Sequence, residues 1–420
     1  MSAKLHRLAN GVRVICDPMP ELETLAVSVV AGRGARSETP EQSGWAHLLE
    51  HMVFKGAAGR SARDLAEVVE QEGGQINAAT GYERTSFQVR ALKGGLPLAL
   101  EVLSDLVLRP TLDAEELERE KSVIAQEIAD AEDTPDDKVF ELAQARSFDG
   151  QPLGRPILGA PQTVQAADRR ALEAFRARQY AAEELVVSAC GAVDEDELLA
   201  LAETAFADAR MGGAPEPESA RFIGGRASEA RRLEQAHVVL LLPGLGAQDQ
   251  GYFAQRLFAE ALGGGMSSRL FQEAREKLGL AYAVDAYSDS YEDVGVLGVY
   301  AGAAAGDARK TAQVCAQQIL ALAEAIGESE LERCKAQLKA HLFMARESPL
   351  SRAEQSAGQT LIFGRLFPPA EIASAIDAVT NADIAAYGRS VLDPGASASA
   401  VLGPKSSLGA GETFHKALFG

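Results

Sequence analysis

Apolar and polar residues alternate along the chain in short runs, and five of these read as strands: TLAVSVVAG (24–32), TSFQVRAL (85–92), LVVSACGAV (185–193), AHVVLLLPG (236–244) and VGVLGVYAG (294–302). An apolar side chain at every second position turns one face of each run toward a core. Helix-length amphipathic segments lie between the runs. One of them, EELEREKSVIAQEIADAED (115–133), sets Leu117, Glu120, Ile124, Glu127, Ile128 and Ala131 on a single helical stripe. Two carboxylates therefore fall among residues expected to face the core. Near the N-terminus, Asn10-Gly11 between two alternating segments predicts a β-hairpin, so this stretch reads as part of the fold rather than as a targeting segment.

The pattern occurs twice. ELEREK at 116–121 returns as ELERCK at 330–335, an offset of 214, and the same offset sets HLLEHM (47–52) against ALGGGM (261–266). Two halves of one ancestral unit are implied. Between them MGGAPEPESARFIGG (211–225) is rich in Gly, Pro and charge and lacks apolar periodicity, as a linker does. The expected organisation is an α+β fold of two tandem homologous domains, each a mostly antiparallel sheet covered by helices. Residues 1–212 form the first, 213–224 the linker and 225–420 the second.

Composition narrows the classes. A chain of 420 residues suits at least two cores, and 46% hydrophobic with 24% charged residues describes a soluble globular protein. No apolar run approaches the roughly 20 residues of a membrane-spanning helix. A net charge of -19 argues against a nucleic-acid partner, because a polyanion is bound by a basic surface. Cys16, Cys190, Cys315 and Cys334 are far apart and form no CxxC pair, which suggests neither a disulfide framework nor a cysteine zinc knuckle. A cytoplasmic protein that binds neither membrane nor nucleic acid is expected.

Only 6 histidines are present, yet two fall within HLLEHMVFKG (47–56) with a glutamate between them. His47, Glu50 and His51 are related by steps of three and four, so their side chains leave one face of a helix. A hydrolytic zinc site needs three protein ligands, a position open to water, and a base near that water. His47 and His51 supply two ligands, Glu50 can serve as the base, and H-x-x-E-H is the inverted zincin order. The third ligand is sought on 115–133, where Glu120 and Glu127 each need a partner, either a metal ion or an Arg or Lys at the helix edge. At the offset positions the second half has Ala261, Gly264 and Gly265. A site of this kind therefore belongs to the first half alone.

These residues resemble the pitrilysin/insulinase-type zinc peptidases, in particular the short bacterial members related to the β subunit of mitochondrial processing peptidase. In that family HxxEH is followed by a glutamate roughly 76 residues on, with another seven before it; here Glu127 and Glu120 stand at those places after His51. The resemblance implies that His47, His51 and Glu127 hold one zinc ion per chain, that Glu50 activates water, and that Glu120 supports a ligand from outside. GGQINAATGYERTSF (73–87) is similar to the family's GGxxNAxT stretch, implying that Asn77, Ala78 and Ala79 pair with a substrate backbone. GGGMSSRLFQEAREKLGLAYAV (263–284) resembles the segment that supplies an Arg and a Tyr to the substrate, which are Arg275 and Tyr282 here.

Two features depart from the pattern. The long glycine-rich loop of the processing peptidase α subunit is reduced to Gly263-Gly264-Gly265, and Leu48 and Ala57 replace the usual Phe and Thr around the motif. The implied activity is that of a zinc-dependent endopeptidase or oligopeptidase, hydrolysing unfolded peptides in a chamber that a homodimer completes. Its rivals are a noncatalytic scaffold subunit of the same fold and the catalytic subunit of a heterodimeric processing peptidase.

Overall fold

Each of the five alternating runs forms a strand, and the strands assemble into two open, mostly antiparallel sheets. The structure, a computed structural model, describes residues 3–213, 215 and 217–420. It contains two units, each drawing on both halves of the sequence: residues 1–128, 155–218 and 343–368 in the first, and 129–154, 219–342 and 369–420 in the second.

The first unit holds a six-stranded sheet in the spatial order Lys4–Arg7, Arg13–Pro18, Leu185–Gly191, Thr24–Ala31, Thr85–Leu92, Gln75–Thr80. Lys4–Arg7 and Arg13–Pro18 are the expected hairpin, with Gly11 in the left-handed region at φ +98°. Arg13–Pro18 and Leu185–Gly191 run parallel, and the other neighbours are antiparallel. Alternation decides which face is buried: in Thr85–Leu92 the residues Thr85, Phe87, Val89 and Ala91 are buried while those between reach toward solvent. Leu185–Gly191 is buried at every position, because a second layer covers its outer face. That layer is the helix Pro349–Phe363, whose Ala357 packs on Ile15, Val30 and Val186. Its Arg352 meets the buried Asp17 in a two-pronged ion pair, Nε–Oδ2 2.8 Å and Nη2–Oδ1 2.6 Å.

The second unit holds a five-stranded sheet ordered Ala281–Ser290, Gly295–Ala304, Gln235–Gly244, Ala398–Gly403, Gly225–Ala230. Here the covering helix is Pro135–Ser147, drawn from the first half of the sequence. The repeat offset relates Pro135 to Pro349, so the two halves have exchanged equivalent helices.

Candidate metal centre

The helix Trp45–Val53 carries the motif, and its sequence divides into two faces. Trp45, Ala46, Leu48, Leu49, Met52 and Val53 are buried in the first unit's core, which leaves His47, Glu50 and His51 half-buried on the other side. Full burial of Leu48, Leu49 and Met52 contributes about 1.5–3 kcal/mol each, so the rotation of the helix, and with it the direction of the motif, is set by packing. The start of the helix is fixed by Glu38, whose carboxyl oxygens accept from the backbone N–H of Gly44 at 3.0 Å and of Ala46 at 2.7 Å. Gly44 sits at φ +92°, where a side chain would be strained and would strike Leu158 and Gly159. Burial pushes the Glu38 carboxyl up to about 8, and the helix N–H groups pull the other way.

Glu120 and Glu127 project from the helix Ala114–Asp133, and the predicted stripe is buried at Leu117, Glu120 and Ile124 but opens toward solvent by Glu127. The two carboxylates meet different fates. Glu120 is 4% exposed, accepts from Lys55 Nζ at 2.7 Å and lies 2.9 Å from His51 Nδ1. Burial alone raises its pKa, yet the Lys55 and His51 hydrogen bonds outweigh burial and hold it below the ordinary carboxylate range. A carboxylate only accepts, so Nδ1 of His51 carries the proton and Nε2 presents its lone pair elsewhere.

That lone pair faces Glu127. Its Oε2 lies 3.7 Å from His51 Nε2 and 3.9 Å from His47 Nε2, and is buried without any hydrogen-bond partner. These separations are too long for hydrogen bonds. They suit shared ligation, since metal–ligand bonds of about 2.0–2.2 Å put tetrahedral donors roughly 3.4 Å apart, and a few tenths of an ångström closes the difference. His47 is held neutral, as a ligand must be: burial first and then His51 lower its pKa to about 4. Among the described residues, His47, His51 and Glu127 are the one His/Cys/Asp/Glu group close enough to hold a metal ion. Two imidazoles, one carboxylate and no fourth protein donor match an open zinc site.

Glu50, one residue from His51, does not belong to that donor set. Its Oε2 accepts from the Thr80 hydroxyl at 2.5 Å. Burial raises its pKa, opposed chiefly by the Thr80 hydrogen bond.

The remaining expected residues lie apart from the donor set in the chain. Asn77, Ala78 and Ala79 lie on Gln75–Thr80, the edge strand of the first sheet, with Asn77 and Ala79 exposed. Arg275 and Tyr282 belong to the second unit. Arg275 sits in a π-helical turn, Phe271–Lys277, with its guanidinium 4.7 Å over the Phe271 ring, and Tyr282 is 73% exposed on the edge strand Ala281–Ser290. Sequence reasoning missed Lys55, Thr80 and Glu38. Lys55 follows His51 by four residues, and that spacing was its signal.

Family models match both halves of the chain. Residues 13–161 match Insulinase (Peptidase family M16), and 166–338 match the Peptidase M16 inactive domain. An "uncharacterized zinc protease" of Rickettsia bellii is 36% identical over 96% of this chain and 98% of its own. The chain belongs to the M16 peptidase family. A Bacillus subtilis relative of this M16 chain, also named an uncharacterized zinc protease, is 34% identical over 90% of this chain and 92% of its own. The fold agrees with the crystal structure of a protease from Helicobacter pylori, with TM-score 0.90, 20% identity, and coverage of 96% of this chain and 99% of that one. A Pseudomonas fluorescens structure described as a peptidase M16 inactive domain gives TM-score 0.87 at 21% identity, covering 96% and 98% of the two chains. Family and relatives together support a peptidase-type, zinc-dependent function for this M16 chain. Among its described residues no helix is long and apolar enough to cross a membrane.

Proposed function

We propose that this M16 chain is a zinc-dependent endopeptidase that hydrolyses unfolded peptides, with one zinc ion per chain held by His47, His51 and Glu127. The observation that carries the reading is the unpartnered Glu127 Oε2 facing two imidazole Nε2 atoms at 3.7 and 3.9 Å. When bound there, a zinc ion supplies Lewis-acid polarisation and acidifies water. The residues of the chain do the rest. Glu120 keeps the His51 proton on Nδ1. Glu50 takes a proton from the attacking water and passes it to the leaving amine. The strand Gln75–Thr80 offers the free edge on which an extended peptide pairs, at Asn77, Ala78 and Ala79. Arg275 and Tyr282, by family resemblance, donate to the carbonyl oxygen as negative charge develops on it.

The proposal extends to a cytoplasmic homodimer. All four cysteines are unpaired and buried, as suits a reducing compartment. Both the metal-capable group and the Arg/Tyr pair are carried by this one chain, which favours a self-sufficient enzyme over a subunit that borrows residues from an inactive partner.

The test is a peptide library incubated with the zinc-loaded protein and read by mass spectrometry, with and without chelator. Glu50→Gln keeps its zinc and loses cleavage by about 100-fold or more, the range of general-base contributions. Undiminished turnover in that variant removes Glu50 from the mechanism, and absence of chelator-sensitive cleavage in the wild type ends the peptidase reading.

A further inference from the structure

The edge strand and the base are joined at a single residue, Thr80. Along Gln75–Thr80 exposure alternates, with Gln75, Asn77 and Ala79 outward and Ile76, Ala78 and Thr80 inward. Ile76 and Ala78 pack on the first unit's core, and Thr80 continues that inward face to the point where its hydroxyl donates to Glu50 Oε2. The ladder with Thr85–Leu92 fixes this placement, pairing Ala78 with Phe87 and Thr80 with Thr85. A shift of one residue would turn the hydroxyl to the opposite face. Among the described residues Thr80 alone hydrogen-bonds to the Glu50 carboxylate, through its hydroxyl and its backbone N–H.

We propose that Thr80 is the positioning residue for the base: its hydroxyl fixes the Glu50 carboxylate so that Oε1 is left to receive the proton of water, and links that orientation to the strand on which the peptide lies. This rests on the peptidase reading for its functional consequence, but not for the geometry. A glutamate side chain turns about three bonds, and beyond Thr80 the Glu50 carboxylate is held only through its helix, among the described residues. With one oxygen committed to Thr80, the carboxylate is placed before substrate arrives. Misplacing a catalytic group by about 1 Å costs on the order of 100-fold in rate. A peptide paired along Asn77–Ala79 is then registered against the base by the same strand, since Thr80 is the next residue.

The hydroxyl is separable from the shape. Thr80→Val keeps the branched side chain and removes the donor; Thr80→Ser keeps the donor and removes a methyl. Zinc-loaded Thr80→Val retains wild-type zinc content and a KM within about twofold while kcat falls roughly 10–100-fold, and Thr80→Ser recovers most of it. Crystal structures of the two variants show Glu50 turned away in Thr80→Val and in place in Thr80→Ser. Unchanged kcat in Thr80→Val, an equal loss in Thr80→Ser, or an unmoved Glu50 in Thr80→Val each overturns the proposal. If Thr80→Val does not fold, Thr80→Ala carries the same comparison. If the wild-type protein cleaves no peptide, the peptidase reading fails and the position of Glu50 in the variant crystals still decides the role of Thr80.

Discussion

Replacing Glu120 by Ala should weaken zinc binding without touching a ligand. The carboxylate is 4% exposed and takes part in two charge-assisted hydrogen bonds, to His51 Nδ1 at 2.9 Å and to Lys55 Nζ at 2.7 Å. Removing it leaves the His51 imidazole free to rotate and to exchange its proton between nitrogens, so part of the binding energy goes into restoring the ligating form. Loss of such an outer partner costs about 10–100-fold in metal affinity, equivalent to roughly 1.4–2.7 kcal/mol. Glu120→Gln should fall between, because an amide oxygen still accepts from Nδ1 but without the charge that makes the bond strong. Lys55 is 30% exposed and can return its ammonium to water, so folding should be little affected. Competition with a chromophoric chelator measures the affinity directly and requires no substrate. Affinity within twofold of wild type for Glu120→Ala would mean that His51 is oriented by its helix alone, and the supporting role of Glu120 would be refuted.

Three further outcomes follow from the structure. Arg352→Ala removes both hydrogen bonds to the buried Asp17 and leaves it only Arg346, 3.9 Å away, which should cost up to about 3–5 kcal/mol, read in urea by the fluorescence of the sole tryptophan, Trp45, in the same unit; an unchanged midpoint contradicts it. Glu38 holds its proton up to about pH 8 when folded but releases it near 4.5 when unfolded, so its contribution is greatest below pH 4.5 and declines by about 1.4 kcal/mol per pH unit up to pH 8. Glu38→Gln should flatten that decline, and parallel stability profiles for variant and wild type between pH 5 and 8 would contradict the assignment. Lys55→Met leaves Glu120 with His51 as its one partner and should reduce zinc affinity less than Glu120→Ala does, by about 3–10-fold, in the same chelator competition; a loss as large as that of Glu120→Ala would place Lys55, not Glu120, in control of His51.

Much of this architecture is legible in the chain because it rests on local periodicity. Two-residue alternation marks the strands, and steps of three and four place His47, Glu50 and His51 on one face of a helix. The stripe on 115–133 identified Glu120 and Glu127 as carboxylates in need of partners. It could not say which partner each finds, because His51 arrives from another helix and Lys55 from the turn that follows it. Periodicity speaks of faces, not of neighbours. The exchanged helices show the same boundary: nothing in PLSRAEQSAGQTLIF announces that Arg352 will meet Asp17, 335 residues earlier. Glu38 and Thr80 escaped notice for a related reason. Each acts on the motif helix from a loop or a strand end, where composition alone marks a turn or an edge.

In the proposed site His47, His51 and Glu127 bind one ion and leave a place for water. Anomalous diffraction at the zinc edge decides whether they do. The expected result is a single site per chain, about 2.0–2.2 Å from Nε2 of both histidines and from a Glu127 oxygen, with solvent as the fourth neighbour. An ion absent from crystals grown with excess zinc, or one closed off by a fourth protein ligand, would contradict it.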